Sequence, residues 1–288
     1  MVKSTERTIV FDELAEQYDN TGVEFFRPIA DRLLELLAPQ PGERVLDVGC
    51  GRGAVLFPAA AAVGPSGAVL GIDIAEAMIA ATAADAAARE FANVEVRVLD
   101  GTAPDLPAGS FDLVAASMSA AHFPDPFATA AHYARLLRPG GRIGMTGPVP
   151  PPTLSEWDLG ALRVDRIIAA ADPDALAAAH PRVAALYGAH PFGRPGRIGE
   201  ALCAAGFTEV AEHRQDVVLA APTAQALIDW TWSNGLRVYW ELVPPERREQ
   251  VAAELAAELT ECAAGGQVTA VYPVHHYLGR LPRTGGTT

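Results

Sequence analysis

Cysteine is scarce in this chain of 288 residues. Cys50, Cys203 and Cys262 are odd in number and far apart in the chain. They offer neither a disulfide framework nor a paired-cysteine metal site, and a reducing, cytoplasmic setting is expected. Cations are short as well: 22 Lys and Arg stand against 35 Asp and Glu, a net charge of −13. A nucleic-acid binder needs a basic stripe over phosphates, and a peripheral membrane protein needs cations over anionic lipid. Neither partner is expected. No apolar run reaches ~18 residues without Gly, Pro or charge, so no membrane span is expected. The opening Met1-Val2-Lys3-Ser4-Thr5-Glu6-Arg7 lacks the apolar stretch of a signal peptide. No HxH or HExxH spacing occurs, so no metal is expected. Half of the residues are apolar and 20% are charged, a balance that fits a large buried core and opposes disorder.

The first half of the chain alternates strand-like and helix-like segments. Ile29, Leu33, Leu36 and Leu37 fall on one helical face. Residues 44–48, 68–73, 94–99, 111–116 and 142–146 read as apolar strands, with helices over about 54–62 and 76–90 between them. Asp125-Pro126 reads as an N-cap followed by proline at the first helical position, opening a helix that Pro139-Gly140-Gly141 ends. Strands separated by helices imply a parallel sheet with right-handed crossovers. The second half reads as helices over 154–170, 173–187, 198–205, 223–242 and 245–263, with strands over 209–219 and 270–278. The expected organisation is a sheet-based half over 1–147. Residues 148–288 then carry helical cap segments (about 153–195 and 223–263) interleaved with the last two strands of the same sheet.

The centre of the chemistry is Val45-Leu46-Asp47-Val48-Gly49-Cys50-Gly51-Arg52-Gly53, a strand running into a glycine turn that opens a helix. Glycine lets backbone approach a ligand closely, and such turns serve nucleotides in general. The acids around the turn narrow the choice. Asp47 would repel a pyrophosphate and attract an amino group or another cation. It could equally pin the loop by accepting backbone N–H bonds, or do both. Asp73 ends the second strand, where a carboxylate can accept two ribose hydroxyls. Asp100 follows the third, where it could accept from an adenine amino group. Three acidic strand ends suit an adenosine carrying a cationic amino acid.

Together with Gly71-Ile72-Asp73-Ile74-Ala75-Glu76-Ala77-Met78, Asp100-Gly101, 106–114 and Leu136-Leu137-Arg138-Pro139-Gly140-Gly141, this turn resembles the class I S-adenosylmethionine-dependent methyltransferases, in their small-molecule, type 11-like group. The resemblance spans about residues 11–145. It implies an α/β, Rossmann-like sheet of seven strands with the last antiparallel, and S-adenosylmethionine as the methyl donor, leaving as S-adenosylhomocysteine. It places Asp47, Gly49, Cys50, Gly51 and Gly53 near the methionine part and Asp73 on the ribose. Ile74 and Met78 flank the adenine, Asp100 and Gly101 cap its far edge, and Thr102 and Ser117 join the cofactor set. Core packing is the alternative for Met78, and filling of the turn is the alternative for Cys50. Residues 11–19 resemble the N-terminal helix that closes over the cofactor, which makes Tyr18 a candidate cofactor or substrate contact and, along with His122, a candidate catalytic residue. The Asn- or Asp-Pro-Pro-aromatic motif of base-modifying members is absent at 116–124.

A sulfonium is already an activated donor, so alignment of the nucleophile supplies much of the rate, and a base helps where the acceptor is a hydroxyl. His122, just after the fourth strand, is the candidate base; a locally satisfied loop histidine is the alternative. His275 and His276 are adjacent on a strand, so they face opposite sides and cannot chelate together. All four tryptophans lie after residue 150. Trp157, Trp232 and Tyr239 are candidates for an aromatic substrate wall, against ordinary packing of cap helices. The expected activity is methyl transfer to O, N or C of a small molecule, such as a specialised metabolite. Two alternatives stay open: a cyclase or isomerase that keeps the cofactor without transfer, and a ligand-sensing protein without catalysis. Oligomeric state and acceptor identity are left open.

Overall fold

Alternation of period two builds the sheet from both sides. The computed structural model describes residues 11–18, 21–148, 164–175, 196–261, 263 and 267–283. Seven strands form one sheet: β1 (Arg44–Val48), β2 (Ala68–Asp73), β3 (Val94–Val98), β4 (Phe111–Ala116), β5 (Leu137–Pro148), β6 (Thr208–Ala221) and β7 (Val268–Arg280). Their order is β3-β2-β1-β4-β5-β7-β6. β1 to β5 pair in parallel, and β7 lies antiparallel on β5 with Thr146 opposite His276. This is the α/β, Rossmann-like methyltransferase sheet that the motifs imply, with its last strand antiparallel.

The chain divides into two units: residues 26–149, 189–215 and 274–288 in one, and residues 1–25, 150–188 and 216–273 in the other. In the first unit, Val45, Val69, Leu113 and Ala115 point to one face of the sheet. They pack there with α1 (Phe26–Leu37) and α2 (Leu56–Val63). Leu46, Val48, Ile72, Val114 and Ile143 point to the other face, against α4 (Pro126–Leu136) and α6 (Arg197–Ala204). α3 (Glu76–Ala88) connects β2 to β3. Ile29, Ala30, Leu33, Leu34 and Leu37 are the buried stripe of α1, the helical face expected there, with Leu34 in place of Leu36. Gly144 of β5 lets α1 sit close, because a Cβ there would meet Leu33 Cδ1 at 2.7 Å.

The Asp125 cap forms as read: its Oδ1 accepts from Phe127 N at 2.9 Å and Ala128 N at 3.1 Å, with Pro126 in the first turn. β5 differs from the reading. It begins at Leu137, and its register jumps from Phe111↔Leu137 to Leu113↔Arg142, so Pro139-Gly140-Gly141 is an irregularity inside the strand rather than its boundary. Gly140 takes a positive φ of 79° there.

In the second unit, α5 (Val164–Ala170), α7 (Ala224–Trp232), α8 (Arg237–Glu241) and α9 (Pro245–Glu261) pack on one another, and Trp230 and Trp240 are both buried. The single helix expected over 223–242 is broken into α7 and α8. Ser233 Oγ and Asn234 Nδ2 both donate to Trp230 O, and Asn234 Oδ1 accepts from Leu236 N, so side chains take over main-chain partners and Gly235 follows. The helices expected over 154–163 and 176–187 lie outside the described residues. Among the described residues, no helix is long and apolar enough to cross a membrane.

Candidate active site

The carboxyl ends of β1 and β2 carry the glycine turn. In open α/β sheets this is the end where ligands sit. Gly49 N and Cys50 N both donate to Ile72 O, at 2.7 and 3.0 Å, which folds the turn against β2. Gly49, Gly51 and Gly53 hold φ of 68°, 47° and 84°, conformations that side chains rarely adopt. At Gly49 and Gly53 the missing Cβ is also needed for space, which Ser119 and Phe57 occupy. Replacing Gly49 by Ala combines left-handed strain with this collision. We expect a loss of about 3 kcal/mol and a fall in Tm of about 6–12 °C by thermal unfolding. Gly64, also at positive φ but in open space, is the control: the same change there brings strain without the collision, and a smaller loss.

Asp73 joins two pieces of main chain. Its Oδ2 accepts from Gly51 N and its Oδ1 from Ala75 N, each at 3.0 Å. Thr82 Oγ1 then donates to Gly51 O at 2.6 Å, and Arg52 pairs with Asp85 at 2.7 Å. Asp47 is in a different state. It is 1% exposed, it accepts from Leu56 N at the start of α2, and its Oδ2 has no partner. Burial first, then the Asp73 charge, push its carboxyl up to about 8, with the Leu56 bond acting the other way. The same burial raises the Cys50 thiol, with Asp47 and Asp73 adding to it. Two carboxyl groups therefore share the turn, one with each oxygen accepting from a main-chain N–H and one holding an unmet oxygen.

Ile74 is half-buried after Asp73, and Met78 is 1% exposed inside α3. Asp100 Oδ1 accepts from both the N–H and the hydroxyl of Thr102, at 2.9 and 2.8 Å. Gly101 lies in a tight place, where a Cβ would meet Val48 Cγ1 at 2.7 Å and Phe123 Cζ at 2.9 Å. Tyr133, fully buried on α4, donates to Gly101 O at 2.6 Å. After β4, Ser117 lies 3.4 Å from Thr146 Oγ1, which accepts from Met118 N at 2.8 Å. Met118 sits at φ 59°, a left-handed non-glycine residue that opens the 3₁₀ turn Ser119–His122. His122 ends that turn, half-buried.

Ser119, Thr82, Tyr133 and Thr146 also brace this end of the sheet. All are small or single polar residues whose partners lie 28 to 71 positions away, so no local spacing signals them. His132 on α4 has its Nε2 at 2.9 Å from Pro104 O.

In the other unit, Trp232 stacks on Trp240 with centroids 5.4 Å apart, and Arg248 lies over Trp232. Tyr239 is 3% exposed, and burial raises its phenol. Tyr18 packs edge-on to Phe11 at 6.3 Å. Arg237 pairs with Glu241 at 2.8 Å and meets Glu13 at 3.9 Å. Trp157 lies outside the described residues. Among the described residues, no three His, Cys, Asp or Glu side chains converge as a metal site.

A family described as methyltransferase domain matches residues 45–141. Nocamycin O-methyltransferase of Saccharothrix syringae is 65% identical over 279 residues, covering 97% of this chain and 100% of that protein. Aklanonic acid methyltransferase DauC of Streptomyces sp. (strain C5) is 49% identical over 142 residues, 49% of this chain and 64% of that protein. The structure of Haemonchus contortus phosphoethanolamine N-methyltransferase 2 in complex with S-adenosyl-L-methionine aligns with a TM-score of 0.60 at 17% identity. It covers 94% of this chain and 57% of that one. At that identity the likeness is one of fold.

Proposed function

This chain belongs to the class I S-adenosylmethionine-dependent methyltransferases, and we propose that it methylates an oxygen of a natural product. The observation that carries the oxygen acceptor is the 65% identity, end to end, with an enzyme named for O-methylation of nocamycin. The site residues support the cofactor assignment. A turn in which Gly49 and Gly53 leave no room for a Cβ, beside a buried carboxyl with an unmet oxygen, fits an adenosine carrying a cationic amino acid.

In this reading Gly49, Cys50, Gly51 and Gly53 line the methionine part, and Asp47 receives its ammonium group. Asp73 takes the ribose, Ile74 and Met78 border the adenine, Asp100, Gly101 and Thr102 close its edge, and Ser117 completes the set. When bound, S-adenosylmethionine supplies an electrophilic methyl on a sulfonium. The protein's own task is to align the acceptor oxygen and to receive its proton. His122 is the base candidate given by position, and Tyr18, Trp232 and Tyr239 are candidate acceptor contacts. Residues 1–147 serve the cofactor, and the segments 153–195 and 223–263 recognise the acceptor.

The test incubates the protein with S-adenosylmethionine and either O-demethylnocamycin or aklanonic acid. Expected are a product heavier by one methylene and an equal amount of S-adenosylhomocysteine. A rearranged product without S-adenosylhomocysteine release, or methylation at carbon or nitrogen, overturns the proposal.

A further inference from the structure

One end of the sheet is the strand β3, far in the strand order from β6 at the other end. Its residues Val94-Glu95-Val96-Arg97-Val98 pair with β2 alone. Val69 N donates to Asn93 O, and Leu99 N donates to Asp73 O. Odd-numbered residues of this stretch therefore turn their main-chain groups toward β2, and Val94, Val96 and Val98 turn theirs outward. Among the described residues, no strand covers that outward side. The whole of β3 lies in one unit of the chain.

The side chains of this edge alternate. Glu95 and Arg97 stand opposite Leu70 and Ile72 and share their face of the sheet, and both are exposed. The chain passes from β3 to β4 without a helix that could cover them. Within one copy they pair with each other at 2.6 Å, each about half exposed. Val94 and Val96 look to the opposite face, where they pack against the core, and Val98 is 44% exposed.

Charges on an edge strand commonly keep other strands away. Here their order makes the edge complementary to itself. We propose that β3 is the docking surface for β3 of a second copy of this chain, joined antiparallel about a two-fold axis at Val96. In that register Val96 faces the partner's Val96, Val94 faces the partner's Val98, and Glu95 faces the partner's Arg97, each contact repeated by the symmetry.

Main chain and side chains agree on this register. Every outward N–H and C=O of Val94, Val96 and Val98 finds a partner. Glu95 and Arg97 fall at the non-hydrogen-bonded positions, where opposed side chains come closest. A slip of one residue sets outward main-chain groups against inward ones. A slip of two sets Glu95 against the partner's Glu95 in one direction, and Arg97 against the partner's Arg97 in the other. The two-fold axis also puts both copies of α3 on one face of the joined sheet. α3 packs on β3, and its exposed Ala80, Ala83, Ala84 and Ala87 leave room for the copies to approach. The docking is independent of the acceptor's identity.

Sedimentation velocity from about 1 to 100 μM reads the association. Wild-type protein should reach twice the mass of the chain. Arg97→Glu leaves only acids facing each other across the axis, and Glu95→Arg leaves only cations. Each should raise the dissociation constant by about tenfold or more. Mixed in equal amounts, E95R and R97E present opposite charges, so a heterodimer should form as tightly as the wild-type dimer. The double exchange E95R/R97E should associate like wild type. Hydrogen exchange locates the contact: the amides of Val94, Val96 and Val98 should slow as wild-type concentration rises. Wild type that stays monomeric at the top concentration, R97E as tightly associated as wild type, a mixture that forms no heterodimer, or β3 amides whose exchange ignores concentration overturns the proposal. If a single variant fails to fold, the exchange measurement on wild type decides by itself.

Discussion

Asp73→Ala is expected to weaken S-adenosylmethionine binding by about 100-fold, a loss of about 2.8 kcal/mol, with the fold retained. Asp73 is the ribose carboxylate of the proposed site. It is also the clasp between two stretches of main chain, since its two oxygens accept from Gly51 N and Ala75 N. Removing it takes away the ligand's acceptor and loosens the turn on one side and the start of α3 on the other. Hydrogen bonds to a charged acceptor are worth about 1.5–3 kcal/mol each, so some thermal stability is lost as well. Circular dichroism and calorimetry on the same sample separate the two effects. A folded variant with unchanged affinity removes Asp73 from the site.

The second large effect concerns Asp47 and pH. Its carboxyl, near 8 in the folded chain against an ordinary 3.8, holds a proton that the unfolded chain gives up. Between these values the folded state binds more protons, so stability falls as pH rises from about 4 to about 8, by up to about 1.4 kcal/mol per pH unit. Asp47→Asn has no such proton and should lose that slope, leaving the free protein more stable than wild type at pH 8 and above. Binding of a cation beside Asp47 should expel the proton. Affinity for S-adenosylmethionine should therefore climb with pH toward about 8, by up to about tenfold per unit, and level off above it. The asparagine variant should bind weakly and without that climb. Calorimetric titrations across this range check both statements, and a wild-type affinity independent of pH shows that Asp47 does not change its charge on binding.

Much of this architecture is legible in the residues themselves. The apolar strand from Val45 to Val48, the glycines after it and the acids ending each strand are local features. Local features survive translation into structure because backbone sterics and period-two burial act over a few residues. The Asp125-Pro126 cap formed for the same reason. Distant partners overrule local preference at two places. Pro139-Gly140-Gly141 looks like a boundary, but pairing with β4 continues around it. Residues 223–242 have a helical pattern throughout, but Asn234 and Ser233 bond to Trp230 O and break it.

The amino-acid sequence by itself determined the fold class and which residues cluster at the glycine turn, because these rest on short patterns of glycine, acid and alternating apolar residues; its resemblance to a known family added the cofactor. Tertiary structure alone decided the state of the buried polar groups. Asp47 keeps its proton because the fold removes water from it and brings Asp73 near, as no single strand could. His276, set aside in the sequence as one of two opposed neighbours, is a buried imidazole whose pKa desolvation lowers to about 4 and which Gln215 holds at 2.8 Å. Only the fold brings Gln215, 61 residues away, and Pro28 into line with it. Protonation depends on desolvation and on partners from distant strands, and these exist only once the chain has folded.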